Sequence, residues 1–224
     1  VHLAAAFPSL GRDYLFEVLG REGVPDSFLH SIKQFYTNNF HFTSLDGELS
    51  PAFTVHSGVR RGCPMSPVLF ALALDPFLDY ICKQLPTNHI LRAYADDMAV
   101  VLPSLRHLGT ISNAFALFGA ASSLHVNVNK TECIPLYPTT CSQCRKDIAH
   151  TPWAGMEIKL GFGKYLGFFV GPGANALNNF SPVMEKFRTR ASFWLEARKL
   201  GQCFQLMGFN MFAASIFSFI CQLY

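Results

Sequence analysis

The chain has 224 residues, half of them apolar, and 18 lysines and arginines against 15 aspartates and glutamates give it a formal charge of +3. This composition excludes a disordered chain and leaves room for one large domain or two small ones around a real core, while the charge is compatible with nucleic acid but too small to argue for it. Seven cysteines, an odd number with no export signal ahead of them, read as reduced thiols of an intracellular protein, and the opening VHLAAAFPSL, without a start methionine, reads as an internal piece of something longer.

In chain order, SLGRDYLFEVLGREG carries Tyr14, Leu15, Val18 and Leu19 near helical spacing. With Ser9 as candidate cap and Gly23-Val24-Pro25 as the stop, it predicts a first helix. PDSFLHSIKQFYTNN predicts a second. FHFTSL and AFTVHSG are β-leaning runs separated by DGELSP, whose Asp46-Gly47 is a hairpin turn signal. MSPVLFALALDPFLDYICKQL predicts a long helix with Ser66 as N-cap and Pro67 at its first position. RAYADDMAVVL, Arg92 to Leu102, reads as a hairpin, and LRHLGTISNAFALFGAASSL as a helix weakened by Gly109 and Gly119. HVNV, ECIPLY and KYLGFFVG read as short strands, and the residues from about Leu177 onward as two helices. This order predicts an α+β fold, with helices on one face of an antiparallel sheet.

The segment from Gly201 to Tyr224 carries no charge and is long enough to cross a bilayer. Gln202, Gln205, Asn210 and Gln222 favour a packed core helix instead, and no membrane contact is expected.

Asp96 and Asp97 set two adjacent carboxylates inside an apolar run. Ionised carboxylates are costly to desolvate and repel one another, so such a pair either lies open as a polar turn or is held by something positive. Two-metal phosphoryl transfer is one such use: its ions, roughly 3.5–4 Å apart, need carboxylates delivered from neighbouring strands on a rigid floor. Ala93, Ala95, Ala99 and Val101 are small enough to pack as that floor. Upstream, SGVRRGCPMSPVLF, Ser57 to Phe70, combines Gly58 and Gly62 with Pro64, Pro67 and paired arginines. Running into a helix N-terminus, it is built either to lie against a nucleotide or to serve as a strand-to-helix junction.

The succession AAAFPSL, GVRRGCPMSP, AYADDMAVVL, LHVNVNKTE and KYLGFFVG resembles the ordered palm motifs of reverse transcriptases from LINE-type, non-LTR retroelements, over nearly all of the chain. The resemblance implies a polymerase palm over residues 1–172 with a loop insertion around 133–156 and the start of a helical thumb over 173–224, with the fingers region that the family carries ahead of its first motif missing from these residues. It also implies RNA-templated DNA synthesis, with an RNA template, a DNA primer, deoxynucleotides and two Mg²⁺ ions as partners, in a larger retroelement polyprotein. By the same resemblance Asp96 and Asp97 are the metal-binding acidic centre, and Lys130 is the lysine near the triphosphate. Phe7 is the ring under the incoming sugar, Arg61 and Gly62 meet the nucleotide, and Tyr165, Leu166 and Gly167 belong to the hairpin that grips the primer end.

Two residues depart from that pattern. The family's first motif begins with an aspartate five residues before the aromatic gate, and counting back from Phe7 gives His2. Mg²⁺ takes oxygen ligands in an octahedron, whereas imidazole suits softer metals, so His2 is expected to weaken the centre and leave polymerisation lost or very low. Arg61 stands where the family usually has glutamine; arginine contacts phosphate but has no acceptor to pair with its donors. The alternative is a catalytically inactive relic that keeps the palm and weak nucleic-acid contact. Cys141, Cys144 and His150 have thiolate and imidazole chemistry suited to zinc, but their spacing matches no tight finger, and zinc is not expected.

Overall fold

A computed structural model describes residues 1–196 and 201–221. The chain divides into two compact units: residues 1–133 with 139–158, and residues 134–138 with 159–224. The fold is α+β, helices with small, mainly antiparallel pairings.

The first unit opens with a short helix, α1 (Ala6–Ser9), followed by α2 (Arg12–Arg21) and α3 (Asp26–Tyr36). Ser9 closes α1 rather than capping α2, whose cap position is Gly11. Gly11 is needed there because its backbone lies against Ser122: a Cβ would meet the Ser122 carbonyl oxygen at 3.2 Å. Next come β1 (Phe40–Leu45) and β2 (Glu48–Thr54), an exposed antiparallel hairpin. Its separator is shorter than DGELSP. Asp46 and Gly47 both have positive φ, 50° and 86°, as a two-residue type I′ turn demands, so the strand resumes at Glu48. Pro51 lies on that strand, opposite Phe42 beside a register shift, where a missing N–H is tolerated.

The long helix α4 (Ser66–Gln84) begins one residue earlier than predicted. Met65 holds the cap position, Ser66 is already helical, and the buried Ser66 hydroxyl caps nothing. Then follow β3 (Ile90–Tyr94), β4 (Asp97–Val101), a 3₁₀ turn (Leu105–His107) and α5 (Leu108–Ser122). α4 and α5 meet through aromatic side chains: Phe77 stacks on Phe118 at 4.2 Å and meets Phe115 edge-on at 4.7 Å. Phe115 in turn meets Trp153 at 5.3 Å.

Trp153 and Met156 come from the stretch expected as a loop insertion, and both are buried in this core. That stretch contains α6 (Cys141–Ile148), capped by the Thr140 hydroxyl accepting from the Gln143 N–H, with Cys144 and Ile148 turned inward. The ECIPLY strand shortens to β5 (Glu132–Cys133), paired in parallel with β6 (Glu157–Ile158). Residues 134–138, the rest of that run, belong to the second unit.

In the second unit β7 (Gly163–Tyr165) and β8 (Phe168–Val170) form a hairpin whose Leu166 and Gly167 both have positive φ. The buried Asn179 side chain, on α7 (Ala176–Glu196), accepts from the Phe169 N–H at 2.7 Å and donates to its carbonyl at 3.4 Å. After it come α8 (Gln202–Gly208), a π turn (Phe209–Ala214) and α9 (Ser215–Ile220). Gly208 faces the Trp194 indole so closely that a Cβ would sit 2.2 Å from it. No helix among the described residues is long and apolar enough to cross a membrane, and Gln222 lies outside those residues.

Candidate active site

The acidic pair lies at the tip of the β3–β4 hairpin. Tyr94 pairs with Asp97 across a two-residue turn, Ala95-Asp96, in which Ala95 takes φ 50°. An alanine in the left-handed region carries strain of roughly 1–2 kcal/mol, so the tip is held by its neighbours rather than by its own preference.

Those neighbours are the first residues of the chain. Met98 donates its N–H to the Val1 carbonyl at 2.9 Å, Leu3 donates to the Asp96 carbonyl at 3.0 Å, and His2 pairs with Asp97. On the other side Asn127 donates to the His2 carbonyl at 2.8 Å and Ala4 donates to the His125 carbonyl at 2.8 Å. Residues 1–4 thus run antiparallel between β4 and the 125–127 segment, which is the HVNV strand of the sequence reading. Leu3, Met98 and Leu124 are buried beneath this ribbon, at 0%, 1% and 0% exposure. Strand alternation therefore turns the neighbouring His2 and Asp97 to the opposite face. The His2–Asp97 pair falls between ladder hydrogen bonds, the closer of the two antiparallel spacings.

The result is direct contact. His2 Nδ1 lies 2.8 Å from Asp97 Oδ1 and 3.6 Å from Asp96 Oδ2, with all three side chains partly exposed. The residue that sequence reasoning put at the missing third carboxylate is thus beside the other two, and its imidazole already engages one of them. Paired Mg²⁺ ions need carboxylate oxygens open on several sides. These residues do not fit that: one ligand is a nitrogen, and an Asp97 oxygen is taken by it. Among the described residues no group of three or more His, Cys, Asp and Glu is arranged to hold a metal ion.

Phe7 is half-buried and stacks on Phe70 of α4 at 4.9 Å with the rings 10° apart. Its carbonyl accepts from the Val59 N–H at 2.8 Å, which ties it to the arginine-bearing loop. Gly58, φ 78°, makes that approach possible: a Cβ there would lie 2.5 Å from Pro8 Cα. The two arginines divide. Arg60 turns back onto the protein, donating to the Phe35 carbonyl at 3.1 Å and to the Asn39 side chain, with its guanidinium 4.1 Å over the Phe35 ring. Arg61 and Gly62 are exposed, and Gly62 has φ 81° with open space around it. Lys130 ends a 3₁₀ turn (Val128–Lys130) just beyond the 125–127 segment and is exposed. Tyr165, Leu166 and Gly167 lie in the second unit, at the β7–β8 turn.

Sequence reasoning missed three supporting residues. Thr131 is 1% exposed, and its hydroxyl accepts from the His2 N–H at 3.4 Å. Cys63 lies just before α4; hydrogen bonding from the Met65 backbone N–H, opposed by burial, lowers its thiol pKa below the ordinary range. Arg12 sends its guanidinium to four backbone carbonyls, with burial the main cause of a lowered pKa. The cysteine group does not converge: Cys144 is fully buried with its thiol toward Thr139, while Cys141 and His150 are exposed. Burial, then the neighbouring Cys144, pushes Cys133 up to about 11.

The family model for reverse transcriptase (RNA-dependent DNA polymerase) matches residues 2–168, three quarters of the chain. The chain belongs to the reverse transcriptase family. It is 29% identical over 201 residues to the "Transposon TX1 uncharacterized 149 kDa protein" of Xenopus laevis, covering 84% of this chain and 15% of that protein. It is 26% identical over 133 residues to the "Retrovirus-related Pol polyprotein from type-2 retrotransposable element R2DM" of Drosophila melanogaster, covering 57% of this chain and 13% of that protein. Both relatives are retroelement proteins, which upholds the LINE-type, non-LTR resemblance. The chain spans only about a seventh of their length.

Proposed function

We propose that this chain is the palm, with the start of a thumb from residue 173, of a retroelement reverse transcriptase whose own nucleotidyl transfer is impaired by His2. The observation that supports the reading is the His2–Asp97 pairing, with the imidazole Nδ1 2.8 Å from Asp97 Oδ1, at the residue read as standing in for the family's first aspartate. The family's Mg²⁺ would stabilise the charge that builds as a primer hydroxyl attacks a nucleotide triphosphate. This chain's residues do not fit that pair of ions, so no catalytic step is assigned to it.

The remaining roles concern binding. Asp96 and Asp97 mark the reacting end of the site. Phe7, backed by Phe70, faces the incoming sugar, with Arg61 and Gly62 on the adjoining loop and Lys130 toward the triphosphate. Tyr165, Leu166 and Gly167 grip the primer end. The partners are an RNA template, a DNA primer and deoxynucleotides. Exposed Arg61 and Lys130 meet phosphates as charges, so retention on a template–primer duplex should fall steeply as salt rises.

A second reading, a relic that binds template and primer without chemistry, draws on the same His2 contact. Primer extension on RNA separates the two. The chain itself should give little or no product with Mg²⁺ or Mn²⁺, and His2→Asp should raise it. Robust extension by the unaltered chain would reject impairment, and extension by neither protein, with salt-sensitive retention preserved, would favour the relic.

A further inference from the structure

Arg12 forms no ion pair among the described residues; its guanidinium is spent on the backbone. Nε donates to the Gly58 carbonyl at 3.2 Å, Nη1 to Tyr36 at 3.0 Å and Val55 at 2.9 Å, and Nη2 to Ser57 at 3.1 Å. Four of the five donors in a rigid fork are therefore used, on carbonyls from two separated segments, with the Tyr36 ring 5.1 Å from Cζ. One segment ends α3 and the other carries β2 into the Ser57–Gly62 loop.

Immediately beyond these contacts the loop is fastened to the first residues of the chain. Gly58 donates to the Leu10 carbonyl at 2.7 Å, Val59 donates to the Phe7 carbonyl at 2.8 Å, and the Ser57 hydroxyl donates to the Pro8 carbonyl at 3.0 Å. None of those bonds reaches α3, and without Arg12 the carbonyls of Val55, Ser57 and Gly58 lose their common partner. A lysine could not replace it, because a single ammonium cannot span that spread of acceptors.

We propose that Arg12 is the positioning residue that sets the Ser57–Gly62 loop against the Phe7 segment, and with it the nucleotide-facing side of both. The nucleotide half of this rests on the polymerase reading above; the loop half does not.

Amide hydrogen exchange on the intact chain tests the loop half with Arg12→Gln and Arg12→Lys. The Gly58 and Val59 amides should exchange at least about tenfold faster in both variants, with the β3–β4 and α5 amides unchanged within about twofold. Equal acceleration throughout the first unit, or none at Gly58 and Val59, overturns the proposal. The nucleotide half is read in a His2→Asp chain that extends a primer. Adding Arg12→Lys should raise KM for the deoxynucleotide about tenfold and leave kcat within about threefold, and a loss confined to kcat overturns that half. If His2→Asp extends no primer, the polymerase reading fails, and exchange still decides what Arg12 does.

Discussion

Replacing His2 by aspartate should make the stability of the first unit depend on magnesium, which the unaltered chain should not show. The substitution removes the contact from Nδ1 to Asp97 at 2.8 Å, a loss of about 1 kcal/mol for an ordinary hydrogen bond. It also sets a third carboxylate beside Asp96 and Asp97, whose side chains are 40% and 45% exposed. Two like charges at about 4 Å repel by roughly 1 kcal/mol in water and 4 kcal/mol near a protein surface, and exposure places this site toward the lower figure. The sum is a destabilisation of roughly 2–4 kcal/mol, or about 4–16 °C in Tm for a unit of this size. A divalent ion held with Kd of about 1 mM returns about 1.4 kcal/mol at 10 mM, or roughly 3–6 °C. Thermal melts in chelator and in 10 mM Mg²⁺, on both proteins, measure this directly. An equal gain from magnesium in the unaltered chain, or a His2→Asp melt in chelator at the original temperature, would show that His2 does not stand in for a metal-binding carboxylate.

Gly58→Ala combines a left-handed φ of 78° with a Cβ 2.5 Å from Pro8 Cα and backbone oxygen, atoms that cannot yield. It should cost roughly 2–5 kcal/mol in urea unfolding, whereas Gly62→Ala, with the same φ sign and open space, should cost only about 1–2 kcal/mol. Ala95→Gly relieves the strained turn at the acidic tip and should stabilise by about 0.5–1 kcal/mol, read as a higher urea midpoint at unchanged slope. Among the thiols, Cys63 should be alkylated faster than Cys141 near neutral pH, and Cys133 should stay unmodified until the chain unfolds, as peptide mapping would report. Because folding raises the Cys133 pKa from its ordinary value of 9.0 to about 11, the folded state holds that proton longer than the unfolded chain. Its contribution is complete below pH 9 and is lost as pH rises toward 11, so the urea midpoint should fall across that window.

The helices were legible wherever apolar residues recur with a 3.6-residue period, as at Leu15, Val18 and Leu19 of α2, because burial on one side requires that spacing. The hairpins were legible at Asp46-Gly47 because few residues accept two successive positive φ values. Their limits were less so. Ser66 has the right chemistry for a cap, yet its hydroxyl is buried at the start of α4, and burial is a property of packing rather than of residue type. The same holds for residues 141–156, whose polar and proline-flanked sequence reads as a loop but whose Ile148, Trp153 and Met156 complete the core.

What the order of residues carried alone was the resemblance to the family's succession of motifs and the proposal that His2 stands at the place of its first aspartate, since both are matters of identity and spacing. It could not say what His2 touches. That depended on residues 1–4 pairing with β4 on one side and with 125–127 on the other, contacts separated by more than ninety positions along the chain. Arg12 shows the same division: nothing near it in sequence calls for a cation, and only folding gathers the four carbonyls that hold it. Local preferences act over a few residues and are written in the sequence, whereas the partners of a side chain are chosen by which distant segments share one core.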